Sequence, residues 1–592
     1  MGDVFAELKR RQMFRVAAAY AVVAWLLLQI VNNVAPVLDL PVWVARAFLL
    51  ALVIGFPIAL LFVWMRDLPP TDAAAPKATT TNLDYALIGA LTLVIALVSY
   101  QQLAPTAGEG TSPGGPQSQA AGLSIAVMPF ENLSSDAEQE FFSVGMSDEI
   151  MAALAKVQSL TIVARESAHQ YKGERNDMRA VGRALNAKYL INGSVRRAGN
   201  RVRITAQLVR TDDGVGLWTD SYDRELTDVF AIQEDIARAI AASLSVPLGL
   251  QQGETLVSNR TGSPESYDQY LRAQALVRAR SLPEAITLLE TVVARDPGFA
   301  PAWGLLARAY SSAPFYVSPE KVRLVLQSSR DKAQKAGGEA VRLDSRNAIG
   351  YAALATVQQQ RGNWAASEDL FRQALALDPN EPEALHTYSN NTLGPAGRLK
   401  EALSLRERLR TLEPFVPVYN IFTAAFMQYN GLSQASIPIL EATPVDAAGG
   451  FTRNVFLAQA YAAEGRYAEA SDTLLAMRTN VVNRGSVEEA ARLLRSAPTT
   501  IKTPEALPLL EARLGFVYAY VGAPDRVLES FERESEIEGG VSTSIWLPLH
   551  APLRKTERFK AFVRKAGLVD YWRARGWPDL CRPAGADDFV CD

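Results

Sequence analysis

The stretch NWAASEDLFRQALALDPNEPEALHTYSN, residues 363–390, holds one period of a repeat. Its first part reads as an apolar-faced helix that stops at Asp378-Pro379. A second proline, Pro382, follows, and small and aromatic residues come soon after. The same order recurs in LPEAITLLETVVARDPGFAPAWGLLARAY (282–310) and in RLKEALSLRERLRTLEPFVPVYNIFTAA (398–425). Pro379 and Pro414 lie 35 residues apart. Two later units, LAQAYAAEGRYAEASDTLLAM (457–477) and LGFVYAYVGAPDRVLESFERE (514–534), each break two helices at a glycine. A single helical hairpin cannot bury its apolar face alone, so stacking must stabilise the set. Pro314–Gly338 departs from the period and reads as an insertion holding an extra helix. Ala442–Gly450 and Thr479–Thr500 blur it.

This pattern resembles the tetratricopeptide repeat (TPR), with small residues at helix contacts and a proline ending each unit. The resemblance implies a long concave face suited to protein segments. Trp303, Tyr310, Tyr351, Tyr388, Tyr419, Phe422, Phe426 and Tyr429 are candidates for a groove, although packing between helices is the simpler role for most of them.

Upstream the chain changes character. LSIAVMPF (123–130) and LTIVAR (160–165) read as strands. Phe141, Phe142, Met146, Ile150 and Leu154 recur at helical spacing between them. Asp177–Leu185 reads as a short helix, Lys188–Thr211 as a hairpin turning at Ala198-Gly199-Asn200, GLWTDSYDREL (216–226) as a last strand, and Val229–Leu244 as an amphipathic helix. The order βαβαβββα gives one mixed sheet covered by helices. Trp218 and Tyr222 share a face of the last strand, most simply as sheet cover. Segment 123–250, through IAVMPFENLSSDAEQEFFSVGMSDEIMAAL, LTIVARESAHQYKG and YLINGSVRRAGNRVRITAQLVRTDDGVGLWTDSYDREL, resembles the TolB-N-terminal-like, FlgO-like domain. That resemblance implies a module that precedes tetratricopeptide repeats in bacterial envelope and regulatory proteins.

The first 103 residues carry three long apolar runs, at about 16–38, 43–65 and 84–103, each near the length that spans a bilayer. Lys9, Arg10, Arg11, Arg15, Arg66 and Lys77 flank them on one side and only Arg46 on the other. The charge rule then predicts a cytoplasmic N-terminus and a periplasmic remainder. Three buried helices of a soluble protein are the alternative. The opening ELKRRQMFRVAAAYAVVAWLLLQ is also similar to the membrane anchors of those envelope proteins. Relatives of that kind often carry a cyclase or winged-helix domain on the cytoplasmic side; the short segments before and between these runs leave no room for one.

The expected fold is therefore multi-domain. It comprises an α-helical transmembrane anchor (1–103), a flexible linker rich in Gly, Pro and Ser (104–122), and a small α/β domain with a mixed sheet (123–250). A C-terminal α-solenoid of TPR-like helical hairpins (263–575) and a tail (576–592) complete it. The tail holds both cysteines, Cys581 and Cys591, which in an oxidising compartment suggest a disulfide. A metal site is the alternative, a poor one with no histidine nearby.

Catalytic signals are sparse. The three histidines, His169, His386 and His550, fall in different units. No zinc spacing, P-loop or G-x-G-x-x-G after a strand occurs. Asp212–Asp213 and Glu488–Glu489 read as turns and solvated faces, as does Asp587–Asp588, for which calcium is a remote alternative. A net charge of −3 gives no footprint for nucleic acid. Arg196, Arg197, Arg201 and Arg203 crowd the hairpin; they suit an anionic partner, or simply alternate on an exposed strand pair. The chain is accordingly expected to be a non-enzymatic, cofactor-free scaffold at the bacterial inner membrane. It would be held in the lipid bilayer by three spans and bind other proteins through its repeats, with self-association left open. The alternative is a transmembrane sensor or regulatory subunit that passes a periplasmic signal to a separate partner.

Overall fold

The computed structural model describes residues 123–592, apart from 158, 173–176, 250–254, 258–260, 318, 446–449, 478–482, 511, 539 and 586. The α/β part is built on strands β1 (Leu123–Val127), β2 (Glu131–Asn132), β3 (Leu160–Ile162), β4 (Tyr189–Ala198), β5 (Arg201–Arg210) and β6 (Gly216–Glu225). They form one sheet in the order β3-β1-β4-β5-β6, with β2 beside β4. β1 runs parallel to β3 and β4, while β4, β5 and β6 are antiparallel. The β4–β5 turn is two residues long, and Gly199 takes φ +59° in it, which a side chain would disfavour.

Period-2 alternation decides which face is buried. Ile191, Val195, Val202, Ile204 and Leu208 point toward helices α1 (Glu140–Leu154) and α3 (Val229–Ser243). On the opposite face Ala126 and Leu190 meet Val181 and Leu185 of α2 (Met178–Ala184) and its C-terminal end.

Helical hairpins follow: α4 (Pro264–Arg278) with α5 (Leu282–Arg295), α6 (Ala300–Ser312) with α7 (Pro319–Leu343), and α8 (Ala348–Gln360) with α9 (Trp364–Leu377). Next come α10 (Pro382–Thr387), widened by a π-helical turn over Tyr388–Leu393, with α11 (Leu399–Leu412). Then α12 (Pro417–Tyr429) pairs with α13 (Ser433–Ala442), and α14 (Gly450–Ala463) with α15 (Tyr467–Leu475). Gly362, Gly397, Gly431 and Gly465 sit at the turns inside four of these hairpins, at φ +77°, +78°, +78° and +75°. They recur every 34 or 35 residues, the period of stacked TPR units. Each ends its helix in the left-handed conformation that glycine adopts at least cost. The segment expected to be an insertion with an extra helix is instead the second helix of its own hairpin: α7 runs 25 residues and packs along both α6 and α8.

The α/β part does not stand apart from the solenoid. Tyr267 and Leu271 of α4 lie in the same core as Phe142 and Met146 of α1. Gly145 lets the two helices approach so closely that a Cβ there would lie 2.8 Å from Leu271 Cδ2. A second contact brings Val163, Ala164 and Ala168 against Leu385, Leu409, Leu412 and Tyr419.

The last segments, α16 (Arg484–Arg495), α17 (Val517–Tyr520), α18 (Pro524–Glu538), α19 (Ala551–Arg554), α20 (Glu557–Lys565) and α21 (Leu568–Arg575), end in the hairpin β7 (Cys581–Ala584) and β8 (Asp588–Cys591). They fold back on the hairpin turns. Trp572 Nε1 donates to the Ala396 carbonyl at 2.8 Å, Trp546 Nε1 to Pro395 at 3.1 Å, and Trp364 Nε1 to Ala566 at 2.8 Å.

The described residues do not bear out the expected transmembrane fold class or inner-membrane location. Residues 1–103, with the expected spans, and the linker 104–122 lie outside the described residues. Among the described residues no helix is long and apolar enough to cross a membrane. The longest, α7, is interrupted by Arg323, Arg330, Asp331, Lys332, Lys335, Glu339 and Arg342. The architecture is a small mixed sheet with a TPR-like solenoid, and the transmembrane anchor and inner-membrane placement are withdrawn from it.

Candidate functional site

The first helices of successive hairpins, α6, α8 and α10, line a shallow, open cleft whose water-accessible volume is about 20 Å³. α6 contributes Arg308, Ser311 and Ser312; α8 contributes Ile349, Ala352, Ala353 and Thr356; α10 and its cap contribute Glu381, Glu383 and Thr387. Their placement follows from the repeat. Glu381 precedes Pro382, the first residue of α10, and caps the helix by accepting the Ala384 N–H. Glu383, in the first turn, accepts from Arg308 Nη2 at 3.3 Å and from the Tyr419 hydroxyl at 3.5 Å.

The two carboxyls diverge electrostatically. Burial pushes Glu381 up to about 7, against the pull of Arg308 and Arg165. Burial would raise Glu383 too, but Arg308, Arg280 and His386 outweigh it and hold that group at about 2. Behind them, burial and the Arg406 charge bring His386 down to about 3, so the ring is neutral and its Nδ1 lies 2.8 Å from Arg406 Nη1. Arg406 is fully buried, with Phe422 and Phe426 each 5.4 Å from its guanidinium carbon.

The edge of the solenoid next to this cleft is occupied by the protein's own α/β domain. The Ala164 N–H donates to the Leu412 carbonyl at 2.6 Å. Arg165 pairs with Asp378 at 2.9 Å. Glu413 accepts the N–H groups of Glu166 and Ser167 and the Ser167 hydroxyl. Burial and the nearby Glu166 push the Glu413 carboxyl up to about 7, although these donors favour its anion.

Strand alternation divides the arginine cluster of the β4–β5 hairpin. Arg201 and Arg203 converge on Asp223 at 2.7 and 2.5 Å, and Arg196, opposite Arg203, donates to the Leu133 carbonyl. Arg197 faces the other way, pairing with Asp268 of α4 at 2.8 Å, with its guanidinium 5.0 Å from the Phe142 ring centre. Cys581 and Cys591 are joined by a disulfide and face each other in the β7–β8 register.

Of the repeat aromatics, Tyr388 stacks on Phe371 at 5.2 Å, Tyr419 lies against His386 at 5.1 Å, and Phe422 and Tyr429 pack on Phe456. Trp303 Nε1 donates to the Pro297 carbonyl. Trp218 and Tyr222 are half-buried against the α/β core. The three histidines stay apart: His169 lies 3.6 Å from Asp148, and His550 Nδ1 lies 2.9 Å from the Ser544 carbonyl. Among the described residues no group of three His, Cys, Asp or Glu side chains could hold a metal ion. The cleft offers one guanidinium, two carboxyls of unlike acidity and several hydroxyls. Such a set can hydrogen-bond a polypeptide segment. Sequence reasoning missed Arg308, Glu381, Glu383 and Glu413; the signal was the acidic residue placed beside each repeat proline.

Residues 120–239 match the family model for the second domain of HilA/YgeH-like transcriptional regulators. A putative adenylate cyclase 3 of Rhizobium meliloti strain 1021 is 42% identical over 187 residues, covering 31% of this chain and 32% of that protein. The chain thus spans about a third of the length of the curated relative it matches. Among solved structures, a thermophilic TPR protein of Thermus thermophilus is 19% identical, covering 34% of this chain and 95% of that one, with a TM-score of 0.24. The lipoprotein GNA1162 of Neisseria meningitidis is 20% identical, covering 21% and 99%, with a TM-score of 0.17. The repeat assignment rests on the glycine turns and paired helices: the C-terminal part is a TPR-like helical repeat fold.

Proposed function

We propose that residues 123–592 form a non-enzymatic protein-binding scaffold whose cleft between α6, α8 and α10 takes a segment of a partner protein. The observation that carries this is the cleft itself, where Arg308, Glu381, Glu383 and four hydroxyl side chains converge on the inner helices of a repeat stack. Extended or helical segments bind such faces through a few anchors spread over several repeats. Photo-crosslinking from Ser312 and Thr387 in cells, followed by mass spectrometry, tests it. Captured proteins should disappear when Ser312→Trp or Thr387→Trp fills the cleft in a protein of unchanged melting temperature. Capture that persists in both variants overturns the proposal.

A second reading is a regulatory module that reports to a separate output protein. It is favoured by the two sequence matches, one to part of a transcriptional regulator and one to about a third of a putative cyclase. Crosslinked partners that carry an output domain would select it over a purely architectural role.

A further inference from the structure

β6 closes one side of the sheet. Among the described residues its only strand neighbour is β5, and its ten residues are exposed except for Trp218 and Tyr222, which are half-buried. No proline interrupts it, and the one register shift against β5 lies at its Gly216 end. The outer backbone groups from Leu217 to Glu225 therefore form a template for another strand, in which the Ser221 N–H, held by the Asp220 carboxylate at 2.8 Å, must exchange its acceptor. The opposite edge, β3, has three residues.

Natural edges are blunted by charge, and β6 carries Asp220, Asp223, Arg224 and Glu225. The placement of these charges is selective. In an antiparallel pair, directly opposed residues must turn their backbone groups the same way, so a strand that pairs with its own copy does so about a two-fold axis through one residue. An axis through Asp220, Asp223 or Arg224 sets like charges face to face. An axis through Ser221 opposes Asp220 to Tyr222 and forms no ion pair. An axis through Tyr222 sets Asp220 opposite Arg224 of the partner subunit, and by symmetry does so twice. Asp223, which then opposes Ser221 of the partner subunit, is already neutralised by Arg201 and Arg203. The same charges disfavour an apolar foreign strand.

We propose that a second copy of this chain pairs with β6 antiparallel about a two-fold axis at Tyr222, making one sheet continuous across a homodimer. Arg224 reaches Asp220 of the partner subunit from the face where Asp235 of α3 already holds it at 3.1 Å, in an exposed pair that can be shared.

Sedimentation velocity of the full chain over a concentration series tests this, with charge reversal as the control for folding. Wild type should sediment as a dimer. Asp220→Arg should weaken dimerisation at least tenfold, and Asp220→Arg combined with Arg224→Asp should restore it. Tyr222→Cys should form a covalent dimer on mild oxidation, since the two thiols would face each other, while Thr219→Cys should not. A monomer at every concentration overturns the proposal. So does a dimer that Asp220→Arg leaves intact, or one that the double reversal fails to recover.

Discussion

The carboxylate of Glu413 accepts the backbone N–H of Ser167 at 2.9 Å and the Ser167 hydroxyl at the same distance, across 246 residues of chain. Glu413 is the residue before a repeat proline, and Ser167 opens a short turn of the α/β domain. One side chain thus joins the solenoid to the sheet by satisfying backbone donors that water cannot reach. Glu413→Ala should cost about 2–4 kcal/mol, because it strands the buried Ser167 N–H and the part-buried Glu166 N–H at once. Glu413→Gln, which keeps an acceptor oxygen, should cost less. Urea unfolding of the two variants checks the order.

Acidity should act on this contact with a definite sign. Glu413 and Glu381 titrate near 7 in the folded protein and near 4.5 in the unfolded chain, so each contributes stability that is present below 4.5 and lost as pH rises toward 7. His550 works the other way. Burial, with Arg554 beside it and against the Ser544 carbonyl, lowers it from 6.5 to about 4, so its contribution is present above 6.5 and lost as pH falls toward 4. Between pH 5 and 6.5 the slope of stability against pH should become more positive in Glu413→Gln, by roughly 1.4 kcal/mol per pH unit. Unfolding midpoints at four pH values in that window measure it; parallel curves for variant and wild type would exclude the titration.

Gly362 and Gly397 have nearly the same φ, +77° and +78°, but unlike surroundings. A Cβ at Gly362 meets nothing within 4 Å, whereas one at Gly397 would lie 2.7 Å from Pro578 Cβ and 2.8 Å from Trp546 Cζ2. Gly362→Ala should therefore cost about 1 kcal/mol for the backbone alone. Gly397→Ala should cost at least twice that and expose the C-terminal helices to trypsin.

Removing the Cys581–Cys591 bond should cost about 2–3 kcal/mol, the scale expected for a short closed loop. Phe589, fully buried and 5.5 Å from Trp572, should keep the hairpin docked after reduction. Double substitution to serine with retained tryptophan fluorescence is the expected result; a red-shifted emission would mean that the bond, not the ring packing, holds the tail.

Periodicity made much of the fold legible. Alternation marks β4, β5 and β6, and the recurring prolines mark the hairpins, because local backbone preferences write themselves at spacings of 2 and about 35. α7 departs from the expected insertion because its hairpin lacks the turn glycine that marks the four hairpins after it, and its charged run resembles an insertion. The strand period also contains the division between Arg196 and Arg197, which face opposite ways, so a cluster of four arginines was never a single patch. The seating of 163–171 on 378–419 was not legible. Its partners lie more than 200 residues apart, and no local pattern reports which loop will meet which turn. The cleft is half legible: the acidic residues recur beside the repeat prolines, but only the stacking brings Glu381 and Glu383 to Arg308 of another repeat.

Stacked helical hairpins normally behave as a spring: each coil touches only its neighbours, the array stretches and recoils, and it frays one unit at a time from either end. Here the first coil is fused into the α/β core through Gly145 and Leu271, and the turns near Gly397 are bolted to Trp546 and Trp572. The spring has been splinted. It should resist extension until the whole body gives way, so that its units melt together and the groove keeps one width whatever load is placed on the chain.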